Sequence, residues 1–342
     1  MKQHKQLLFL VSYLCIAFIA TAQDLHFSQF MNSPLLTNPA NTGFIPDADY
    51  RIGANYRNQW SSVPVPYKTA SVWGDVQLFR NKLQNGWVGV GAHLLNDAAG
   101  RGNLRSNKVY ASVAYHQMLG LSSLISAGFN AGYASKRIDV TKLSFDNQWN
   151  GKFFDAGAPS GEAFLTNSNT SYFDLQVGMN YAYFPTENTY VNAGLSVHHL
   201  NKPKETFFTN SNNEVPRRYI AFLNGSFKMN DDWILNPNSY FSSQANAREF
   251  VLGGNAAYNV RGDGSIVVFG GGYYRWADAG IAMVGIEMKN IRFTFTYDAT
   301  MSRLTSFNQA NGAWEFSLIK NGYYHEYFGD KNTKRQSMCP RF

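Results

Sequence analysis

Long stretches of the chain alternate between apolar and polar positions. In 51–57, Ile52, Ala54 and Tyr56 share one face, while Arg51, Gly53, Asn55 and Arg57 share the other. Across 173–183 the odd positions are Phe173, Leu175, Val177, Met179, Tyr181 and Tyr183, and the even ones are Asp174, Gln176, Gly178, Asn180 and Ala182. Ile291, Phe293, Phe295 and Tyr297 oppose Arg292, Thr294, Thr296 and Asp298. A period of two is the strand signature. The pattern predicts strands at 49–57, 68–77, 86–95, 105–118, 122–135, 170–184, 188–199, 217–229, 233–242, 248–259, 265–275, 279–288, 290–298 and 313–320. Most are about 9–13 residues long, against about 5–6 for a strand of a soluble domain. Pro237 weakens the ninth, and Trp73 falls on the polar face of the second.

The connections carry independent information. Those after the even strands are brief, such as 119–121, 185–187, 230–232 and 289, whereas those after odd strands include 136–169, 201–216 and 299–312. Short turns at one rim and long loops at the other are the asymmetry of a bacterial outer-membrane barrel, with the short turns periplasmic. A strand tilted near 45° needs roughly 9–11 residues to span the hydrocarbon. Backbone in lipid has no water to bond, so the sheet must close on itself. The expected fold is therefore all-β: a transmembrane antiparallel barrel of about 14 strands over 49–320. Tyr56, Tyr110, Tyr183, Tyr190, Tyr258, Tyr297 and Trp314 are expected to form interfacial girdles. A soluble sandwich or propeller is the competing fold, and solubility without detergent separates the two.

Composition agrees. Aromatic and charged residues each make up 15% of the chain, and soluble domains carry roughly 25% charge. A mean hydropathy of −0.30 is too polar for a bundle of membrane helices. The apolar content excludes disorder, and two cysteines exclude a disulfide scaffold. Lys2, His4 and Lys5 precede an apolar run, 7–20, that ends in Ala20-Thr21-Ala22. Together these read as a signal peptide, 1–22, with cleavage before Gln23. Cys15 lies within the apolar run, a poor lipid acceptor, which leaves Cys339 in the mature chain. The expected location is the outer membrane, reached by export.

The stretch before the first strand is the most distinctive. It contains Phe27-Ser28-Gln29-Phe30 and Asn38-Pro39-Ala40-Asn41-Thr42-Gly43, and the first strand ends in Tyr56-Arg57-Asn58-Gln59-Trp60. With the terminal Cys339-Pro340-Arg341-Phe342, this resembles the PorP/SprF family of the Bacteroidota type IX secretion and gliding machinery. Leu25, where proline is common, and the long insert 136–169 depart from its pattern. The resemblance implies an outer-membrane protein of 14 strands, without enzymatic activity or cofactor. It implies as partners periplasmic ring components of the secretion system, a secreted adhesin with a type B C-terminal domain, or both. Read physically, 23–48 is broken by Pro34, Pro39 and Gly43, while Phe27, Phe30, Met31, Leu35 and Leu36 need burial. It is expected to fold into the lumen from the periplasmic side as a plug, because lipid admits no irregular backbone. A collar outside the barrel is the alternative. After the last strand, 321–342 is expected to be a periplasmic tail, with Tyr323, Tyr324, Tyr327, Cys339 and Phe342 as candidate partner contacts.

Other chemistry finds little support. His26, His93, His116, His198, His199 and His325 are scattered, and strand alternation points His198 and His199 to opposite faces. Ser196 lacks the second glycine of a nucleophile elbow. Arg261-Gly262-Asp263-Gly264 reads as turn chemistry in a periplasmic turn. Gly270-Gly271-Gly272 is expected where the wall crowds the plug. Arg51, Asp75, Asp174, Glu287, Arg292, Asp298 and Glu315 are mixed in sign, which suits salt bridges around a plug better than the single-sign ring of a selective pore. Two functions remain: an anchor for secreted cargo, and a FadL-like transporter of hydrophobic solutes.

Overall fold

The computed structural model describes residues 24–324, apart from 25, 47, 63–65, 101, 140–141, 162–167, 208–211 and 304. The predicted signal peptide, Tyr327, Cys339 and Phe342 lie outside the described residues. The first seven strands are β1 (Tyr50–Gln59), β2 (Tyr67–Leu83), β3 (Gly86–Ala99), β4 (Leu104–Met118), β5 (Ser123–Arg137), β6 (Asn169–Thr186) and β7 (Thr189–His198). The rest are β8 (Arg218–Lys228), β9 (Trp233–Gln244), β10 (Ala247–Asn259), β11 (Ile266–Arg275), β12 (Ala279–Met288), β13 (Ile291–Thr300) and β14 (Asn311–Gly322). They form one closed antiparallel barrel in chain order, sealed by β1 on β14 from Tyr50↔Gly322 to Gln59↔Ala313. No helix of the described residues is long and apolar enough to cross a membrane.

All fourteen strands stand where the alternation places them. Several extend further than predicted, β2 to Leu83 at the short-turn rim and β9 to Gln244 at the long-loop rim. The connections at 84–85, 119–122, 187–188, 229–232, 260–265 and 289–290 make the short-turn rim, and the Arg261–Gly264 turn belongs to it. The connections 138–168, 199–217 and 301–310 crown the opposite rim. Pro237 is accommodated because its pairing with β8 lapses between Asn224↔Asn238 and Phe227↔Leu235, where proline has no N–H to donate.

The apolar face points outward. Val72, Leu94, Val113, Phe173, Met179, Leu195, Leu252, Val284 and Leu318 are exposed, whereas Asn130, Asp174, Asn180, Thr294, Thr296 and Glu315 are buried. A core inside a soluble fold would reverse this pattern.

The inward face is not purely polar, however. Trp73 turns inward over Gly53, and its indole N–H donates to Asn55 Oδ1 at 2.9 Å. Two rings expected in the girdles also face inward: Tyr110 stacks on His93, and Tyr190 packs on the cluster of Phe44, Trp87, Leu124 and Phe184. Their strand parity sets this, since Tyr110 shares a face with Lys108 and Ser112, and Tyr190 with Asn192. Tyr56, Tyr258, Tyr297 and Trp314 face outward, Tyr56 against Trp314 and Tyr258 against Trp233.

Candidate functional site

The interior is occupied by the chain's own opening segment. Phe30–Asn32, Pro34–Thr37 and Pro39–Asn41 form three single helical turns, each interrupted before it can extend. Proline at the first helical position suits two of them, because it has no N–H to satisfy there. Asn38 caps the third by accepting from Ala40 N–H at 2.8 Å. Three large apolar side chains of the segment seed clusters with inward residues of the wall. Phe30 sits among Ile220, Phe222, Tyr240, Val251 and Tyr273; Leu35 lies with Trp73 and Ile319; Phe44 packs with Trp87, Leu124 and Phe184. Burying such a side chain is worth about 1.5–3 kcal/mol, so each of these contacts helps to hold the segment against the wall. Phe27 is buried as well, and Met31 and Leu36 are partly buried.

Polar contacts then set its register. Glu315 of β14 accepts from the backbone N–H groups of both Ser28 (2.7 Å) and Gln29 (3.0 Å). The Gln29 amide donates to Thr296 Oγ1 and to the Glu315 carbonyl, both at 3.2 Å. Ser28 Oγ donates to Asp298 Oδ2 at 2.5 Å. Arg57, at the end of β1, donates to Ser28 Oγ at 2.7 Å and pairs with Glu315 and, at 3.2 Å, with Asp298. Arg275 bonds the same Ser28 hydroxyl and pairs with Asp298 (3.2 Å), Glu249 (3.1 Å) and Asp278 (3.1 Å). Thus Ser28 and Gln29 of the first motif and Arg57 of the strand-end motif meet in one buried ion network. Their nearness in space, with more than twenty residues between them in sequence, follows from barrel closure.

The second motif presses on the wall. The Asn38 amide donates to the Met179 carbonyl (2.9 Å) and the Leu195 carbonyl (3.2 Å), bridging β6 and β7. Opposite Pro39 and Ala40 stands Gly128, where an added Cβ would lie 2.4–2.5 Å from their backbone atoms. Gly43 adopts φ +67° and lies so close to Gly89 that neither position has room for a side chain. His116 connects this stretch to β5, contacting the Thr42 carbonyl at 2.8 Å and Ser126 Oγ at 2.7 Å. The glycine triplet expected to serve this purpose does not: Gly270 and Gly272 lie on the outward face of β11, and an added Cβ on Gly271 would meet Gly254 and Asn255 of the neighbouring strand. The Pro39–Asn41 turn packs on β4, β5 and β6 instead.

The segment crosses the full height of the barrel. At the short-turn rim Asp49 N–H donates to the Gly322 carbonyl at 2.8 Å, beside the point where β1 joins the wall. Asp24 lies at the long-loop rim: it pairs with Lys108, contacts His199 Nε2 at 3.2 Å, and its N–H donates to Gln244 Oε1 at 2.7 Å. His199 follows β7 with φ +56°, which turns it to the inside beside His198; alternation had placed the two on opposite faces. Its Nδ1 contacts Asp174 at 3.0 Å. Burial disfavours the charged ring, but Asp174 and Asp24, one on each nitrogen, outweigh it and hold the His199 pKa above the usual imidazole value. Asp24 is half-buried, and Lys108 and His199 keep its pKa well below the carboxylate norm.

Of the other candidate residues, Asn58, Gln59 and Trp60 stand at the outer end of β1, where Trp60 meets Tyr67 edge-on. Tyr324 N–H donates to Asp49 Oδ2 at 2.8 Å and its ring tilts against Tyr50, while Tyr323 follows β14 at the same rim. Arg51 pairs with Asp75 at 2.6 Å, and Glu287 with Arg292 at 2.7 Å. Among the described residues no group of three or more His, Cys, Asp or Glu side chains could hold a metal ion. Sequence reading passed over Arg275, Glu249 and Lys108. Their signal was a charge at an inward parity position, which only the known strand register makes visible.

The family model described as type IX secretion system membrane protein PorP/SprF matches residues 19–319. The chain belongs to the PorP/SprF family. The stretches Phe27–Phe30, Asn38–Gly43 and Tyr56–Trp60 lie within the matched residues, and of their side chains Ser28, Gln29 and Arg57 meet in the buried ion network. A comparison with curated proteins returned no match. Among solved structures the barrel is similar to the toluene transporter TodX of P. putida, with 12% identity, a TM-score of 0.51, and coverage of 86% of this chain and 95% of that one. It is also similar to a Pseudomonas aeruginosa FadL homologue, with 9% identity, a TM-score of 0.50, and coverage of 85% and 94%. At these identities the likeness is one of fold.

Proposed function

We propose that this PorP/SprF protein is a non-enzymatic outer-membrane anchor of the type IX secretion system. Its long loops hold the C-terminal domain of a secreted adhesin of the type B class, and its short-turn rim meets the periplasmic machinery. The observation that carries the reading is the packing of the opening segment against inward-facing side chains of the wall. The opening segment acts as a plug, bonded to the wall at Ser28 and Gln29 by Glu315, Asp298 and Arg57, at Asn38 by the Met179 carbonyl and at Thr42 by His116, which argues against free passage of solutes. On this reading the protein works through its two faces. Trp149, Phe153 and Phe154 are exposed on the loop between β5 and β6, and Trp276 and Met301 are exposed near them in height. Tyr323, Tyr324, Tyr327, Cys339 and Phe342 are proposed as contacts on the periplasmic side. Secretion and gliding adhesion follow as the processes served.

A second reading, transport of hydrophobic solutes, is supported by an apolar cleft of about 520 Å³ lined by Met179, Leu195, Ala221, Leu223, Phe241 and Phe250. Most of those side chains belong to the outward face, so the cleft opens toward lipid. The two readings separate on purification of the tagged protein from detergent-solubilised outer membranes, with mass spectrometry of its companions and bound small molecules. Recovery of a large adhesin fragment is expected. Periplasmic lipoproteins alone would indicate a core secretion component. Bound fatty acid with neither partner would overturn the anchor in favour of the transporter.

A further inference from the structure

The direction in which the inner segment threads the barrel says where the mature protein begins. Asp24 is held at the long-loop rim by three strands at once: Lys108 near the start of β4, His199 just past β7, and Gln244, the last residue of β9. From there the chain descends past Ser28 and Gln29 on β14, Asn38 on β6 and β7, and Gly43 on β3, and it enters the wall at Tyr50 on the opposite rim. The Asp24 site is built rather than incidental. The Lys108 side chain facing it is buried, and His199 is fully buried between Asp24 and Asp174. Short turns mark the periplasmic rim of a bacterial barrel, so Asp24 sits at the extracellular mouth.

We infer that the mature N-terminus is displayed at the cell surface, and that removal of the leader is a precondition for seating the inner segment. A chain still joined at residue 22 to an apolar leader in the inner membrane cannot place residue 24 on the far side of the outer membrane. A leader that doubled back would have to pass Phe30, Leu35 and Phe44, each packed against the wall. The surface offered to a partner outside therefore includes the beginning of this chain, beside Lys108, His199 and Gln244. The inference rests on the outer-membrane reading given above.

Cysteine labelling of intact cells tests it in a Cys339→Ser background. A Gly-Ser-Cys-Gly-Ser insert between Gln23 and Asp24 is compared with Lys152→Cys in the 138–168 loop and with Asp231→Cys in a short turn, using a membrane-impermeant maleimide. Labelling of the insert on intact cells, to the level of Lys152→Cys, is expected, with Asp231→Cys reacting only after the outer membrane is permeabilised. Controls that behave so, with an insert that reacts only after permeabilisation, overturn the inference and leave the barrel orientation standing. Controls with reversed accessibility overturn both. A second variant, Ala20→Arg with Ala22→Arg, blocks cleavage without touching the mature chain. Loss of the heat-modifiable folded band is expected, and an uncleaved protein that still folds and inserts overturns the inference.

Discussion

Arg57 and Glu315 illustrate how much depends on single buried charges. Arg57 is shared by Glu315, Asp298 and Ser28, and all four residues are almost inaccessible. Replacing Arg57 with alanine leaves Glu315 without its cation and Asp298 with Arg275 alone, and breaking a buried pair from one side costs about 3–5 kcal/mol. Unfolding of Arg57→Ala, followed by the shift between folded and unfolded bands after heating in detergent, is expected at a markedly lower temperature than for the native chain. His199 supplies a second handle. Its raised pKa means that its stabilising charge is complete below pH 6.5 and is lost as the pH rises through the folded-state value. The unfolding temperature is therefore expected to fall as the pH is raised above 6.5 through the folded-state value, and His199→Gln to flatten that slope. His26 has the opposite sign. Burial pushes it down to about 4 despite Glu249, so it weakens the fold only as the pH drops below 6.5, outside the window where His199 is read.

At the level of elements, a 14-strand wall and an irregular segment must fit without space between them. Gly128 is the clearest contact, since an added Cβ would meet three backbone atoms of Pro39 and Ala40. Backbone cannot swing aside as a flexible side chain can, and overpacking costs typically about 1–3 kcal/mol. Gly128→Ala is expected to lower the unfolding temperature and to loosen the segment, seen as faster proteolysis within 24–46. Gly270→Ala is the matched control: its nearest neighbour would be the Met283 carbonyl at an ordinary 3.7 Å, and no change is expected. Strand positions were legible in the sequence because lipid outside and a polar lumen inside impose the period of two on every strand. Tyr110 and Tyr190 were misassigned to the girdles because an aromatic ring is compatible with both environments, and only strand parity and its stacking partner decide between them.

For the molecule as a whole, the outward apolar band governs behaviour. Val284 lies midway along β12 and is exposed. An arginine near the bilayer midplane costs about 2–4 kcal/mol in a barrel of this kind, so Val284→Arg is expected to reduce the folded, membrane-inserted fraction in a vesicle refolding assay. The same protein is expected to precipitate when detergent is removed without lipid, because no soluble core exists to receive that face.

The amino-acid order alone determined the number and position of the strands, the closed barrel, and the family motifs, since each is written locally: alternation within a strand, turn length between strands, and proline and glycine in the opening segment. Which charges meet was decided only by tertiary structure. Ser28, Arg57, Glu249, Arg275, Asp298 and Glu315 come from five strands and a segment scattered over the chain, and closure of β1 on β14 brings them together. The course of the segment was decided there too. Alternation cannot say which way an irregular stretch runs through a lumen, whereas the pairing of Asp24 with Lys108 and His199 at one rim, and of Asp49 with Gly322 at the other, leaves one direction.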